Sequence, residues 1–489
     1  MNAQRTRWSR VKKTLRVTAL VIVVLLVGAM GLRLYNIQQG PPLAVWHTFV
    51  PEELSVEAMD HGSWQDYIER ENKIFDEVRR NVTDKLEEDE RIDSNRYFSG
   101  AAVYPGHFAN DWNRSYILEP VGQPLGVVVL LHGLTDSPYS LRHIAEHYRS
   151  LGYVAIGIRL PAHGTVPAAL TDSGWEDWLA ATRLAVREAR RRVPAPKPLH
   201  IVGFSNGGAL ALMYALEALD NPQMARPDQL VLISPMIGIT RFARFAGLAG
   251  LPAMLPAFAK AAWLSIVPEF NPFKYNSFPI HAARQSYELT QVLQEKIVKR
   301  QRQGTLAQLP PILTFHSVLD FTVSTRAVLN ALYARLPDNG SELVLFDLNR
   351  ATKLGPLMRR GVEWYMSGTL PNEQHNYRLS IITNATPTSN EMVERVSEAG
   401  QTTTADSPIN IAYPNEIYSL SHVALPFPTS DTLYGQHPDN IEQYGISLGA
   451  IAIRGEVGVL ITGTESLSRL TSNPFYPYML KRIDRVIPR

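Results

Sequence analysis

Cysteine is absent from the 489 residues of this chain. Its absence excludes disulfide bonds, catalysis by a thiolate and metal sites built from cysteine. The histidines do not cluster at metal-ligand spacing, and the sequence has no His-Glu-x-x-His motif and no glycine-rich phosphate loop. We therefore expect no metal site and no nucleotide or flavin cofactor. Large extracytoplasmic proteins of eukaryotes more often carry disulfides, so, if the chain is exported, their absence favours a bacterial source.

Neither sign of charge is in clear excess. The chain has 48 basic residues against 46 acidic ones, a formal net charge of +2. Six of the basic residues lie in the first sixteen positions, so the remainder has 42 against 46 and a net charge of −4. These six are Arg5, Arg7, Arg10, Lys12, Lys13 and Arg16. Because the body of the chain is slightly acidic, we expect no nucleic-acid partner.

An uncharged apolar run over residues 17–32 follows this basic cluster. Its length lies between the apolar segment of a signal peptide and a spanning helix of about 17–25 residues. Residues 34–37 can lengthen it if Arg33 reaches the membrane interface, and no clear cleavage site follows. Residues 1–37 are therefore predicted to be a cytoplasmic basic segment and an uncleaved transmembrane signal anchor, with a cleaved signal peptide as the alternative. Both place the body on the periplasmic or extracellular side of the inner membrane.

Residues 38–95 are predicted to form a linker and then an amphipathic helix. Pro41 and Pro42 lie in the linker, and apolar residues recur at helical spacing from Trp64 to Leu86 behind a possible N-cap at Ser63. The outer face of this helix carries both acidic and basic residues. This pattern favours packing against the following domain over contact with a membrane.

From residue 96 onward, buried strands alternate with helices, apart from an expected antiparallel pair over 97–124. The predicted strands between residues 126 and 234 cover 126–131, 153–158, 199–202 and 230–234. Such alternation is typical of βαβ units, so residues 96–489 are predicted to be one α/β domain. We expect a mostly parallel central sheet flanked by helices.

The segment Gly203-Phe204-Ser205-Asn206-Gly207 lies between the third of these strands and a helix predicted from Asn206 to Leu219. A G-x-S-x-G motif between a strand and a helix is typical of a nucleophile elbow. The sharp turn requires small neighbours, and its serine would lie above the N-terminus of the helix, where free N–H groups favour an oxyanion. A glycine-rich turn with an inert serine is the alternative.

Three motifs together resemble the α/β-hydrolase superfamily. They are His132-Gly133 after one buried strand, Arg159-x-x-x-His163-Gly164 after the next, and the elbow after the third. The branch is similar to the monoacylglycerol lipases and carboxylesterase-like serine hydrolases. The resemblance is close over about residues 95–235 and looser over 310–480. It implies a helical cap insertion at about 236–309, where Trp263, Phe270, Phe273 and Tyr275 would line an apolar mouth or pack within the cap.

In this superfamily the catalytic residues follow the chain order serine, acid, histidine. With Ser205 as nucleophile, the resemblance places the acid at Asp320, which follows a predicted strand over 311–319; Asp347 is the alternative. His422, in a strand-like run over 419–425, is predicted to be the base, with His375 and His437 as the other candidates.

The remaining polar groups receive supporting roles. The resemblance assigns the oxyanion hole to the backbone N–H groups of Leu134 and Asn206. His132, His163 and His316 are interpreted as histidines that shape loops or the core. Further along the chain, a disordered loop is expected near 385–408 and a surface helix near 476–486.

The sequence thus predicts a membrane-anchored, exported serine hydrolase that cleaves lipid-like or small carboxylic esters through an acyl-enzyme. A peptidase or amidase of the same superfamily is one alternative, and a non-catalytic binding protein with the same fold is another. We expect an ester substrate and the membrane as its partners.

Overall fold

The computed structural model describes residues 38–238, 256–352, 374–439, 441–449 and 469–488, together with 13–22, 24, 25, 28, 31, 32 and 35. Much of the predicted anchor over residues 1–37 therefore lies outside the described residues. Its described positions are helical, and their apolar side chains, such as Leu15, Leu20 and Leu25, are exposed. Among the described residues, no helix combines the length and apolar character required to cross a membrane.

A ten-stranded sheet runs through the centre of the described chain. In chain order the strands are β1 (Tyr116–Leu118), β2 (Gly126–Leu131), β3 (Tyr153–Ile158), β4 (Leu199–Phe204), β5 (Gln229–Ile233), β6 (Trp263–Ser265), β7 (Phe278–Pro279), β8 (Ile312–Ser317), β9 (Glu342–Phe346), β10 (Arg378–Asn384), β11 (Glu391–Ser397) and β12 (Ala405–Ala412). The sheet order is β1-β3-β2-β4-β5-β8-β9-β10-β11-β12, and β6 and β7 form a separate pair.

The central part of the sheet is parallel, as predicted. Strands β3, β2, β4, β5, β8, β9 and β10 pair in parallel, while β1 and the last two strands pair antiparallel. The central strands β2, β3, β4, β5, β8 and β9 are buried at every position. Continuous apolar strands of this kind require cover on both faces.

Helices supply that cover. The α-helices are α1 (Val56–His61), α2 (Trp64–Asn81), α3 (Arg142–Ser150), α4 (Trp175–Arg192), α5 (Asn206–Asp220), α6 (Ile280–Arg302), α7 (Thr325–Ala327) and α8 (Tyr476–Val486). Alternate residues of β2 enter two different cores: Val127 and Val129 pack with α4, α5 and α6, whereas Val128 and Leu130 pack with α3 and α8. The parallel strands and the helices on both faces confirm the predicted α/β-hydrolase architecture.

The segment before the sheet packs on this domain. Ser63 caps α2 by accepting a hydrogen bond from the Asp66 N–H, as its sequence position predicts. Met59 and Tyr67 are buried in the larger core. The Tyr67 hydroxyl donates to the carbonyl of Arg159 in the loop after β3. The predicted packing of this helix on the domain is therefore observed.

Three local predictions differ from the structure. The region 97–124 contains the single strand β1 rather than an antiparallel pair, and the rest of it is turns and short 3-10 segments. The predicted linker contains α1. The expected disordered loop near 385–408 is wrong, because β11 and the first half of β12 lie there, and the two strands pair antiparallel.

Part of the predicted cap, residues 239–255, lies outside the described residues. The described remainder of 236–309 contains the short β6–β7 pair and the long helix α6. The surface helix near 476–486 is present as α8, and its inner side is buried against the second core.

Candidate active site

Ser205 lies at the turn between β4 and α5, in backbone that side chains rarely adopt. Its φ is 53° and its ψ is −113°. The conformation is held by hydrogen bonds, because the Ser205 N–H donates to Ile233 O at 2.9 Å and its carbonyl accepts from the Met236 N–H at 2.9 Å. Such strain persists only when the surrounding structure enforces it, and it is commonest at functional sites.

Glycine is required on both sides of this serine. A Cβ at Gly207 would overlap the carbonyl of Leu131, and a Cβ at Gly203 would overlap the carbonyl of Gly207. The helix can therefore approach β2 and β4 closely only because these two side chains are missing. The predicted elbow geometry is present in the structure.

Asp320 and His422 lie together despite their separation along the chain. The His422 Nδ1 and the Asp320 Oδ2 are 2.8 Å apart, and both residues are buried. The other carboxylate oxygen of Asp320 accepts from the backbone N–H groups of Thr322 at 2.7 Å and Val323 at 3.0 Å. Burial by itself would raise the pKa of Asp320, but the charge and hydrogen bond of His422 hold that pKa well below its usual range.

His422 does not lie in a strand, contrary to expectation. It begins a short 3-10 segment over His422–Ala424, and Ser421 before it is extended. Its ring lies 5.2 Å from the ring of Phe204, centroid to centroid, beside the elbow. A loop rather than a strand therefore positions His422 beside the elbow.

Ser205 and His422 line one cavity of about 410 Å³, together with Leu134 and Phe204. Among the described residues, the Ser205 hydroxyl has no hydrogen-bond partner, so the structure brings the two residues to one space without joining them. Catalytic hydrogen bonds are often long or misaligned in a free enzyme and tighten only with substrate.

The two residues predicted to supply the oxyanion hole are Leu134 and Asn206, and Asn206 directly follows Ser205. Leu134 lines the cavity, and Asn206 is the first residue of α5. Within the described part of the chain, neither backbone N–H donates a hydrogen bond. Free N–H groups at a helix start and in an adjacent loop are suited to binding a developing negative charge.

The alternative site residues lie elsewhere. Asp347 follows β9 and accepts from the Thr383 hydroxyl at 2.8 Å and from Arg350. His375 hydrogen-bonds the Tyr377 carbonyl at 2.7 Å, and His437 is exposed. These three side chains have no contact with Ser205 or His422 in the part of the chain that the structure describes.

The structural histidines behave as interpreted. The two ring nitrogens of His132 bond the Gly133 carbonyl at 2.9 Å and the Leu160 N–H at 3.0 Å, which fixes the loop before Leu134. His316 is buried and bonds Thr325 Oγ1 at 3.1 Å. Burial lowers the pKa of His163 and of His316 to about 4, so both are neutral at pH 7.

Of the four cap aromatics, only Tyr275 lines this cavity among the described residues. Its hydroxyl accepts from the Thr165 N–H at 2.7 Å. Trp263 is buried away from the cavity, and Phe273 stacks on Tyr139 at 4.1 Å between ring centroids. Trp263 and Phe273 therefore pack against other residues, the second of the two roles predicted for the cap aromatics.

Lys274 and Arg469 also line the cavity, and the sequence analysis did not identify them. Neither belongs to a motif, so no sequence signal separates them from other basic residues. In the described ranges, no group of three or more His, Asp or Glu side chains is placed to hold a metal ion.

Comparison with known proteins establishes the family. A sequence model described as "Alpha/beta hydrolase family" matches residues 128–375, just over half of the chain. This chain therefore belongs to the alpha/beta hydrolase family.

A curated relative confirms the resemblance to the monoacylglycerol lipase and carboxylesterase branch. A thermostable monoacylglycerol lipase from Bacillus sp. (strain H-257) is 34% identical over 92 residues, which is 19% of this chain. The match spans about a third of the length of that lipase, 35%.

Solved structures of similar proteins cover about half of the chain. A soluble variant of monoglyceride lipase from Saccharomyces cerevisiae is 15% identical, with a TM-score of 0.37, over 48% of this chain and 82% of its own. A thermostable carboxyl esterase from Bacillus coagulans is 14% identical, with a TM-score of 0.36, over 52% and 93%. These values are too low to transfer an activity.

Proposed function

We propose that this protein is a serine hydrolase that cleaves carboxylic esters through Ser205, His422 and Asp320. The observation that carries the proposal is the 2.8 Å hydrogen bond between His422 and Asp320, in the cavity that Ser205 lines. A serine hydroxyl is a poor nucleophile without a base, and the base needs a partner that fixes its tautomer. His422 and Asp320 meet these two requirements, although they lie 102 positions apart in the sequence.

The ionised Asp320 determines which nitrogen of His422 carries the proton. Its Oδ2 accepts from Nδ1–H, so Nε2 is left free to accept a proton. With an ester bound, Ser205 Oγ attacks the carbonyl carbon while its proton passes to Nε2. Asp320 then stabilises the imidazolium and remains ionised.

The attack places a negative charge on the carbonyl oxygen. The N–H groups of Leu134 and Asn206 would donate to this oxygen, and each such donor is worth about 3–4 kcal/mol in the transition state. The intermediate collapses to an acyl-enzyme, and the leaving alcohol takes the proton from His422. Water then attacks the acyl-enzyme with His422 as base, releasing the carboxylic acid and restoring Ser205.

The branch of the family favours esters as substrates. The curated relative is a monoacylglycerol lipase, and its match over 92 residues supports a lipase or esterase type of hydrolase. Apolar side chains such as Met236, Phe278 and Val323 line the same cavity. Such walls suit the acyl part of a lipid-like or small ester.

A fluorophosphonate probe tests the proposal, because only an activated serine reacts with it. We expect the full chain to be labelled at one site and the Ser205→Ala variant to remain unlabelled. An exposed serine changed in the same way, Ser94→Ala, is the matched control. An unlabelled wild-type protein would favour a non-catalytic binding protein with this fold.

The substrate class is tested by comparing short p-nitrophenyl esters with aminoacyl anilides. An esterase hydrolyses the first group and leaves the anilides almost untouched. Faster cleavage of the anilides would replace the ester proposal with a peptidase or amidase.

We further propose that residues 1–37 anchor the protein in the inner membrane, with residues 38–489 on its outer side. The apolar run over 17–32 and the preceding six cations support this placement. The exposed apolar side chains at the described positions of the segment agree with a lipid-facing role.

A further inference from the structure

Two cationic side chains line the cavity that contains Ser205 and His422. Lys274 lies in the loop before β7 and is partly exposed, and Arg469 is exposed. Arg469 donates to the Thr322 hydroxyl at 2.8 Å. Among the described residues, neither side chain forms an ion pair, and the Lys274 ammonium has no hydrogen-bond partner.

Two acidic groups, Asp136 and Asp320, act on the cations through their charge, but each is hydrogen-bonded to another partner. Asp136 is buried and accepts from the Ser137 N–H at 3.0 Å, and burial raises its pKa to about 6. Asp320 is bound to His422. Burial lowers the pKa of Lys274, and the charge of Arg469 acts in the same direction, although Asp136 opposes it. Within the described ranges, the two cations thus share a space in which no carboxylate forms an ion pair with either of them.

This arrangement carries a free-energy cost. Like charges that share one partly enclosed space repel each other, and the charge of Arg469 acts on Lys274 in this way. An anion bound by both side chains would offset this repulsion and form charge-assisted hydrogen bonds. The cavity opens beside the nucleophile, so such an anion would belong to the molecule that Ser205 attacks.

We propose that Lys274 and Arg469 bind an anionic group of the substrate, a carboxylate or phosphate attached to the ester that Ser205 cleaves. This inference rests on the proposed ester hydrolysis. A cavity of about 410 Å³ accommodates a small molecule with both an acyl chain and an anionic end. The substrate class is then a monoester of a dicarboxylic acid or an acyl ester of glycerol phosphate.

The alternative role for the two cations in a hydrolase is in the reaction itself. They could stabilise the negative charge that forms on the ester itself, which would accelerate every ester alike. A specific anion site instead changes the ratio between charged and neutral substrates. The experiment therefore measures that ratio.

We would measure kcat/KM for two matched pairs at constant ionic strength. The carboxylate arm compares p-nitrophenyl butyrate with the p-nitrophenyl monoester of glutaric acid. The phosphate arm compares a 1-acylglycerol with the corresponding 1-acylglycerol 3-phosphate. We expect the wild-type protein to prefer the anionic member of at least one pair, and the responding pair identifies the anion.

The variants are Lys274→Met and Arg469→Gln, and each should lower the anionic-to-neutral ratio about tenfold, the effect of losing one charge-assisted contact. Lys274→Arg keeps the charge and should retain the preference. Lys299→Met and Arg302→Gln, exposed residues of α6, are the matched controls and should leave the ratio unchanged.

Two results would overturn the anion site. One is a wild-type protein that shows no preference for the anion in either pair. The other is a pair of variants that slow neutral and anionic esters equally. If instead no ester is cleaved and the fluorophosphonate does not label Ser205, the proposed hydrolysis itself fails. In that case glutarate and glycerol 3-phosphate should still raise the melting temperature of the wild-type protein but not of Lys274→Met, and the absence of any shift would refute the anion site as well.

Discussion

Ser205 shows how much of this site depends on a single backbone position. The residue keeps φ at 53°, and within the described chain its hydroxyl has no hydrogen-bond partner. For Ser205→Ala we expect hydrolysis and fluorophosphonate labelling to be lost, with turnover lower by about 10³–10⁶-fold. The free energy of unfolding should stay within about 0.5 kcal/mol or rise, because no bond is broken. Residual turnover within tenfold of the parent would remove Ser205 from the nucleophile role.

The three candidate histidines predict three different outcomes. His422→Ala removes the group bound to Asp320 and should cost several orders of magnitude in turnover on a short ester. His375→Ala and His437→Ala should change turnover little, since neither residue reaches the cavity. The base assignment is wrong if His422→Ala keeps near-parental turnover while either other variant is inactive.

Among single residues, those that closely follow a strand are predicted from the sequence more fully than those that lie in loops. Ser205 and Asp320 come shortly after buried apolar strands, whose ends share one edge of a parallel sheet. His422 was selected for its neighbours, and the strand expected around it is a loop. Lys274 and Arg469 carry no local signal, because only the folded chain brings them to the cavity.

Among the larger elements, helix α2 and the segment before α1 are joined to the loop after β3 by an ion cluster around the buried Arg159. Arg159 is 1% exposed, and its guanidinium bonds both Glu53 oxygens, at 2.8 and 2.9 Å, and one Glu71 oxygen at 3.1 Å. Glu53 also accepts from the Ala162 N–H at 2.8 Å. The same loop contains the Leu160 N–H that binds His132, next to the predicted oxyanion hole.

Glu53→Gln should therefore destabilise the fold and weaken catalysis together. Removing one partner of a buried pair costs about 3–5 kcal/mol, because the other charge remains buried. We expect this loss in chemical unfolding and a smaller decrease in kcat. Glu52→Gln, at an exposed neighbour, is the matched control. Equal stabilities of the two variants would show that the cluster contributes nothing.

Asp431 fixes the loop after His422 to the first turn of α3 and to the segment before it. Its carboxylate accepts from Arg142 at 2.7 Å, His143 at 2.9 Å and the Tyr139 hydroxyl at 3.0 Å. Burial alone would raise the pKa of Asp431, but Arg142 and these hydrogen bonds hold it well below its usual range. A depressed carboxyl pKa contributes stability that is present above the unfolded-state pKa of 3.8 and is lost as pH falls towards the folded-state value.

For Asp431→Asn we expect a loss of about 3–5 kcal/mol in the free energy of unfolding at pH 7. The difference from the wild-type protein should shrink below about pH 4, where the unfolded carboxyl is protonated. Urea unfolding at several pH values measures this difference in the free energy of unfolding, with the exposed Asp338→Asn as control. A difference that is independent of pH would contradict the charge-based explanation.

Most elements with continuous apolar sequence were predicted, and polar ones were not. Helix α5 ends one residue later than predicted, and the strands on either side of the elbow helix differ from prediction by one or two residues. The hairpin of β11 and β12 was missed because β12 carries Asp406 and Pro408 and is mostly exposed. Its strand conformation comes from pairing with β11, which local sequence does not encode.

For the whole molecule, the placement of the chain relative to the membrane is the main prediction. Under the proposed topology, a reporter fused after residue 489 should be active only on the periplasmic or extracellular side, because the six basic residues before the apolar segment favour the cytoplasmic side. Changing these cations to glutamine should reduce the correctly oriented fraction. Cytoplasmic activity of the parent fusion would contradict export.

The glycines around Ser205 also decide how this protein can be altered by evolution or in the laboratory. Overlap with backbone carbonyls at Gly203 and Gly207 leaves neighbouring side chains no room to adjust, so these two positions exclude all other residues. At the cavity walls, by contrast, Phe278 is partly exposed and borders open space, so its side chain has room to change size. A library selected for new ester substrates should accumulate its substitutions in those walls and keep the elbow invariant. New substrate preference can thus arise here while the reaction itself stays the same.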